Sequence, residues 1–515
     1  MKINFACALR TLALPLAATL MLQASARDLP AASAQQRTEA YFQSIRAQPP
    51  MLWAFLKEMP KGGDLHSHLS GAVYAESMIA WAAEDGLCID QKTMTVLKPP
   101  CNETAGQLAA KTALTDPLLY RHMIDAWSMR NLATSGLNGH DQFFDSFGKF
   151  RLANQTRDGE MLAEVAGRAH DGNVAYLELM LTPGSGAAVS RAAAAAGWND
   201  DFATTRAALL DNGLPDAVKA GSAALQQSIA RQREILKCGT AQADGGCGVS
   251  MRFLYQVARG LPKEIVFAQM VAGFELAQSD PNAVGLNLVM PEDALVPMRD
   301  FALHMRMLDY LRGVYPKGKV TLHAGELAPG LVPPEGLRFH IRDSIDIGHA
   351  RRIGHGVAVM QENDAVGLLR QMARDKVLVE ICLSSNTGIL GVSGANHPLS
   401  TYLKYGVPVA LATDDEGVAR SEMTREYVKA VEEHKVDYRQ LKAMARNSLH
   451  YAFVEGESLW QDIERQRIVP ACAGAVAGKP NVRCQAYLEQ NPKARLQWEM
   501  ESAFVKFESK FQGVK

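Results

Sequence analysis

Two histidines one residue apart, His66 and His68, close a short run that opens Gly63-Asp64-Leu65. Side chains two apart on a strand point the same way, so both imidazoles can reach one ion. Further along, His323 finishes an apolar run and Glu326 follows in the turn. His355 lies between Gly354 and Gly356, where bare backbone can approach a ligand closely, and Asp414-Asp415 end another apolar run. Taken singly, each of these residues is as readily a capping or packing residue. Taken together they pose a problem, because burying them unpartnered costs several kcal/mol and adjacent carboxylates repel. A cation resolves both difficulties. Imidazole and carboxylate donors suit one zinc ion with a position left open for water, whose pKa zinc lowers towards ~7. A buried glutamic acid with a raised pKa shuttles protons beside such a centre. The chemistry indicated is metal-assisted hydrolysis.

Elements that would hold these residues can be read from the apolar runs. Eight candidate strands fall at 63–69, 174–181, 251–259, 284–290, 319–324, 352–355, 377–383 and 407–413. Helical patterns separate them at 159–170, 264–278, 300–315, 364–375 and 397–405. Near-continuous hydrophobic strands alternating with helices indicate a parallel sheet covered on both faces. Eight such repeats favour closure, so the expected fold is α/β, a TIM (β/α)8 barrel. The chemical residues then cluster at the carboxyl ends of the strands, where barrels build active sites.

Three segments exceed a minimal barrel: 27–60, which looks helical; 182–250, an insertion after strand two with a helical pattern at 215–237; and 455–515, a C-terminal extension. Residues 27–515 read as one zinc-hydrolase barrel domain with an N-terminal helical segment 27–60, a core 61–454 and the extension 455–515. Cys88/Cys101, Cys238/Cys247 and Cys472/Cys484 form three short-range pairs read as disulfides, and Cys382 stands alone in an apolar strand. Lys2 and Arg10, an apolar stretch from Leu12 to Leu22 and Ala24-Ser25-Ala26 resemble a secretory signal peptide over 1–26. The stretch is shorter than a bilayer requires, which argues against a stable membrane anchor. Localisation is expected to be exported, periplasmic or secreted.

The motifs M-P-K-G-G-D-L-H-S-H-L at 59–69, L-H-A-G-E at 322–326, R-I-G-H-G at 352–356 and A-T-D-D at 412–415 resemble those of the adenosine deaminases, within the metal-dependent amidohydrolase superfamily. The opening motif, leader and cysteines look most like the secreted, growth-factor-related branch. The resemblance implies that His66, His68, His323 and Asp414 bind one zinc ion per chain. It implies that Glu326 protonates the purine ring, that His355 orients the attacking hydroxide, and that Asp415 hydrogen-bonds the purine. Phe143–Phe150 resembles the helix after strand one, and Ser384-Ser385-Asn386 the turn after strand seven. Two positions depart from the family. Ser70 replaces an aspartate that contacts ribose, and Met290 replaces a glycine whose backbone meets the purine; both are candidate substrate contacts.

The activity implied is hydrolytic deamination of adenosine, and of 2′-deoxyadenosine, to inosine and ammonia. Adenine or a modified adenosine is the alternative substrate, and an exported binding or signalling protein without activity is the alternative class. The partner expected is a small-molecule purine nucleoside. A net charge of −1 without basic runs excludes nucleic-acid binding by a general electrostatic footprint. Homodimerisation through 182–250 and 455–515 stays open, against simple packing on the barrel.

Overall fold

The computed structural model describes residues 33–184 and 186–511. The leader expected at 1–26 lies outside them. Eight parallel strands form the centre: β1 (Gly62–His68), β2 (Val174–Leu181), β3 (Ser250–Ala258), β4 (Ala283–Val289), β5 (Thr321–Ala324), β6 (Arg352–His355), β7 (Leu378–Ile381) and β8 (Val409–Leu411). They hydrogen-bond as two four-stranded sheets, β1-β2-β3-β4 and β5-β6-β7-β8, in sequence order. Single parallel bridges join the sheets, Leu286↔Val320 between β4 and β5 and Ser67↔Asp414 between β8 and β1. The result is a TIM barrel. Strands such as β2, β6 and β7 are buried almost throughout, as strands covered on both faces must be.

Strand ends differ from the expected runs where chemistry takes over from packing. β7 stops at Ile381, because a helix over Leu383–Leu390 starts within the apolar run. Cys382 is therefore a buried helix-capping residue instead of a strand residue, and it has no disulfide partner. β1 carries an irregularity: Asp64 pairs with Leu177 and Ser67 with Leu179, three steps against two. Bulges of this kind re-aim side chains at barrel rims.

The motif before β1 is a structural lock. Lys61 is fully buried, and its Nζ donates to the carbonyls of Lys57 (3.3 Å), Met59 (3.0 Å) and Gly172 (2.7 Å). That ammonium ties the start of β1 to the end of the helix Asp158–Asp171. Burial pushes it down to about 7.

The outlying segments pack on the barrel wall. Helices Ala34–Ile45 and Pro49–Glu58 account for the expected helical segment, and Leu214–Ile235 runs along Asp158–Asp171 and Lys263–Ser279. The C-terminal helix Pro492–Ser509 lies on Ala34–Ile45 and Tyr438–His450, with Phe42, Phe55, Tyr438, Phe504 and Phe507 buried where they meet. All three cysteine pairs are disulfides, Cys88–Cys101, Cys238–Cys247 and Cys472–Cys484. Disulfides of this kind persist in oxidising compartments. Among the described residues no helix is long and apolar enough to cross a membrane.

Candidate metal centre and base pocket

At the carboxyl end of the barrel, β1 delivers His66 and His68, β5 delivers His323, and the turn after β8 delivers Asp414. His323 Nε2 lies 3.1 Å from His66 Nε2 and 3.1 Å from His68 Nε2. Asp414 Oδ1 lies 3.4 Å and 3.3 Å from the same two atoms of His66 and His68. Bonds of about 2.0–2.1 Å to a tetrahedral zinc ion set its donors about 3.3–3.4 Å apart, and the spacings agree with that figure.

The outer nitrogens decide what faces inward. His66 Nδ1 meets Glu380 Oε2 (2.7 Å), His68 Nδ1 meets Gln256 Oε1 (2.6 Å), and His323 Nδ1 meets Asn287 Oδ1 (2.8 Å). Each acceptor fixes the proton on Nδ1, so the Nε2 lone pairs converge on one another and on a carboxylate. Such a set repels itself unless a cation sits at its centre. Burial, the largest cause, pushes the His323 imidazole well below its usual value. The residues present fit a zinc ion, and they do so without any thiolate.

Glu380 is itself held. Arg352 Nε donates to its Oε1 at 2.5 Å and Arg352 Nη2 donates to Glu178 Oε2 at 2.7 Å, all three side chains being fully buried. Arg352 opens the motif at 352–356, whereas Glu178, Gln256, Asn287 and Glu380 stand outside every motif. The signal was available: a lone polar or charged residue inside an apolar strand needs a partner.

Beside the donor set lie Glu326, His355 and Asp415. Glu326 Oε1, His355 Nε2 and Asp415 Oδ1 are each buried without a hydrogen-bond partner. Burial, with the charges of Asp414 and Glu292 added, drives the Glu326 carboxyl well above its usual range. Its backbone N–H, and that of Gly325, donate to Glu292, which also takes the Nδ1–H of His340. Burial and then the charge of Asp414 likewise raise Asp415, against the opposing pull of His68.

A relay sets the His355 tautomer. The backbone N–H of Leu399 donates to His397 Nδ1 (3.1 Å), so His397 Nε2 carries the proton and donates to Asn386 Oδ1 (3.1 Å). Asn386 Nδ2 then donates to His355 Nδ1 (3.0 Å), which leaves the proton of His355 on its unpartnered Nε2. Burial pushes His355 down to about 3, so it is a neutral donor. Ser385 Oγ donates to Asp414 Oδ2 at 2.7 Å, completing the role of the turn after β7.

The glycines around His355 serve a different purpose from the expected approach to a ligand. A Cβ on Gly354 would come within 2.5 Å of His66 Cε1, and one on Gly356 (φ +61°) within 2.5 Å of the Tyr402 hydroxyl. They admit neighbouring side chains, and so position the donor set indirectly. Met290, His355 and Asp414 hold φ of +88°, +66° and +61°, a left-handed strain of order 1–3 kcal/mol each that clusters at functional sites.

Above the donors opens a cavity of about 470 Å³. Phe143, Phe144 and Phe147, on the helix Gly139–Asn154, form one wall; Ser70, Met290 and Asp415 lie on the others. Both departures from the family pattern therefore line this space. Met290 keeps the backbone of a glycine, and its 43 % exposed side chain reaches over Gly260. His140 Nε2 on the phenylalanine helix bonds Asp293 Oδ1 (3.0 Å), tying that helix to the segment that follows Met290 and Pro291.

A family model described as adenosine deaminase matches residues 137–461. The chain belongs to the adenosine deaminase family. An adenine deaminase of Rhizobium leguminosarum bv. trifolii is 29% identical over 222 residues, 43% of this chain and 63% of that relative. An adenosine deaminase of Yersinia pseudotuberculosis is 34% identical over 137 residues, 26% of this chain and 38% of that relative. The chain thus spans less than two thirds of the length of these adenosine deaminase-family relatives. Among solved structures, an Arabidopsis N6-mAMP deaminase aligns over 80% of the chain and 97% of its own, with 19% identity and TM-score 0.51. A zinc-bound amidohydrolase from Burkholderia ambifaria aligns over 89% and 94%, with 16% identity and TM-score 0.50. These structural likenesses concern the fold.

Proposed function

We propose that the protein is a zinc-dependent hydrolase that deaminates adenosine, and 2′-deoxyadenosine, to inosine and ammonia. The observation that carries the reading is the pair of unpartnered atoms Glu326 Oε1 and Asp415 Oδ1 on the wall of one cavity, with His355 Nε2, also unpartnered, on a ring packed against His66 and His323. His66, His68, His323 and Asp414 would hold the ion. Zinc bound there supplies a Lewis acid that makes water nucleophilic near neutral pH.

The chain's own groups divide the remaining work. Glu326, kept protonated by burial, donates from its carboxyl to the purine ring nitrogen next to the amino-bearing carbon, and recovers a proton from the attacking water for the departing ammonia. His355 donates its Nε2–H to the oxygen of that water, orienting it. Asp415 holds a proton for the same reason as Glu326 and donates it to a second purine nitrogen. The phenylalanine wall stacks on the base and excludes water, and Ser70 offers a hydroxyl to the sugar.

Adenine is the second reading, favoured by the adenine deaminase relative and by the Met290 side chain on the cavity wall. The disulfides and the leader pattern support export to an oxidising compartment. The test is ammonia release from adenosine, 2′-deoxyadenosine, adenine and AMP, with zinc and after chelation. Zinc-dependent release from adenosine, abolished in Glu326→Gln with zinc still bound, is expected. Preference for adenine moves the assignment to the nucleobase, and no release from any purine by zinc-loaded protein refutes deamination.

A further inference from the structure

The amino ends of the strands, at the far side of the barrel from His66 and Asp414, carry a second cavity of about 570 Å³. Seven lysines and arginines line it, among them Arg352, together with the acid Asp375. Lys319, Arg351 and Lys376 immediately precede or open the approach to β5, β6 and β7; Arg312 and Lys317 come from the connection into β5; Lys493 comes from the first turn of Pro492–Ser509.

Most of these cations lack a carboxylate. Among the described residues Lys319 Nζ donates only to the Phe453 carbonyl (2.5 Å) and Lys493 Nζ only to the His450 carbonyl (3.4 Å). Arg312 meets the carbonyls of Pro316 and Gly318. Among the described residues neither Lys317 nor Arg351 has a carboxylate partner. The nearby acids are engaged elsewhere: Glu178 with Arg352, Glu455 with Arg252, Glu464 with Lys376, and Asp375 with Arg374. Burial and then the charge of Lys319 push the Lys493 ammonium down to about 8, and burial lowers Lys319 as well. Folding thus gathers positive charge around the cavity that Asp375 on its wall and Glu178, Glu455 and Glu457 nearby offset only in part, an arrangement that an anion would complete.

From this geometry we infer that the basal cavity binds a compact anion carrying two or more phosphoryl groups. Its volume is in the range of small-molecule sites, well beyond what one oxyanion fills, and its cations are spread over three strand ends and a separate helix. Tetrahedral phosphoryl oxygens suit both the point charges of Lys319 and Lys493 and the planar donors of Arg312 and Arg351. The site is distinct from the metal end, with which it shares no lining residue.

Calorimetric titration of the zinc-loaded, disulfide-intact chain with inorganic pyrophosphate tests the inference, with orthophosphate, sulfate and ADP as parallel probes. Pyrophosphate should bind with a Kd of about 0.1 mM or tighter. Orthophosphate and sulfate should bind at least tenfold more weakly, and affinity should fall as salt screens the partly exposed charges. Lys319→Met/Lys493→Met should weaken pyrophosphate at least tenfold while leaving ammonia release unchanged. Arg351→Gln/Lys317→Gln, at exposed positions, serves the same purpose if the half-buried pair fails to fold. ADP binding tighter than pyrophosphate would identify a nucleotide as the source, and the reverse an inorganic ion; either supports the site. Pyrophosphate binding unmoved by both variant pairs would place it at the metal end and overturn the inference, as would no binding at low salt.

Discussion

Replacing Glu380 by glutamine tests whether the imidazole–carboxylate–guanidinium chain behind the donor set matters for holding the metal. The carboxylate serves three donors, His66 Nδ1 at 2.7 Å on one oxygen, and Arg352 Nε at 2.5 Å with the Thr321 hydroxyl on the other. An amide of the same shape has one acceptor side only. If its oxygen faces His66, its NH2 abuts the Arg352 guanidinium, which then keeps Glu178 alone. Losing a ligand's outer-shell partner typically costs 10–100-fold in metal affinity, about 1.4–2.8 kcal/mol. Leaving a buried cation half paired costs about 3 kcal/mol more of folding stability. Thr321→Val is the control, since the Thr321 hydroxyl donates to the same carboxylate at 2.9 Å and its loss removes a neutral donor while both charged partners stay. Competition against a chromophoric chelator gives the zinc affinity, and thermal melting gives the stability. Zinc held by Glu380→Gln within about threefold of the parent, far below the 10–100-fold expected, would refute the reasoning.

Met290→Gly should raise the melting temperature by relieving a left-handed non-glycine residue worth about 1–2 kcal/mol, and should lower KM for purines with a bulkier amino substituent. The His140–Asp293 bond raises the His140 imidazole above its usual value, so the tie holds below the ordinary histidine pKa and is lost as pH climbs through the raised one. KM should therefore rise with pH across that window, and His140→Ala should flatten the rise; a pH-independent KM in the parent would defeat this account. Removing Cys88–Cys101, a separation of 13 residues, should cost about 3 kcal/mol in denaturant titration, with zinc content preserved.

The barrel was legible because its strands are buried on both faces and announce themselves as apolar runs. All four expected metal-site positions, His66, His68, His323 and Asp414, converge because strand direction is shared and each ends at one rim. What the sequence hid is pairwise. Glu178, Arg352 and Glu380 lie far apart in the chain, and nothing local says that they meet. The relay from Leu399 through His397 and Asn386 to His355 is equally invisible, since its direction depends on one backbone amide. The glycine pair at 354 and 356 misled because a missing Cβ reports crowding without saying by what.

The seam between β8 and β1 has a consequence for how the chain assembles. Its backbone holds consist of the His68 N–H to the Asp414 carbonyl (3.0 Å) and the Asp414 N–H to the His66 carbonyl (2.8 Å). Each four-stranded half can build from neighbours in sequence, whereas this join brings together positions 66 and 414, the costliest loop to close. The same residues supply donors from both margins of the join. A metal ion there would act as a clasp on a cylinder, rewarding closure only when the first and last staves stand in register. Catalytic competence and completion of the barrel would then be one event, and a chain that had not closed could not carry out the reaction prematurely.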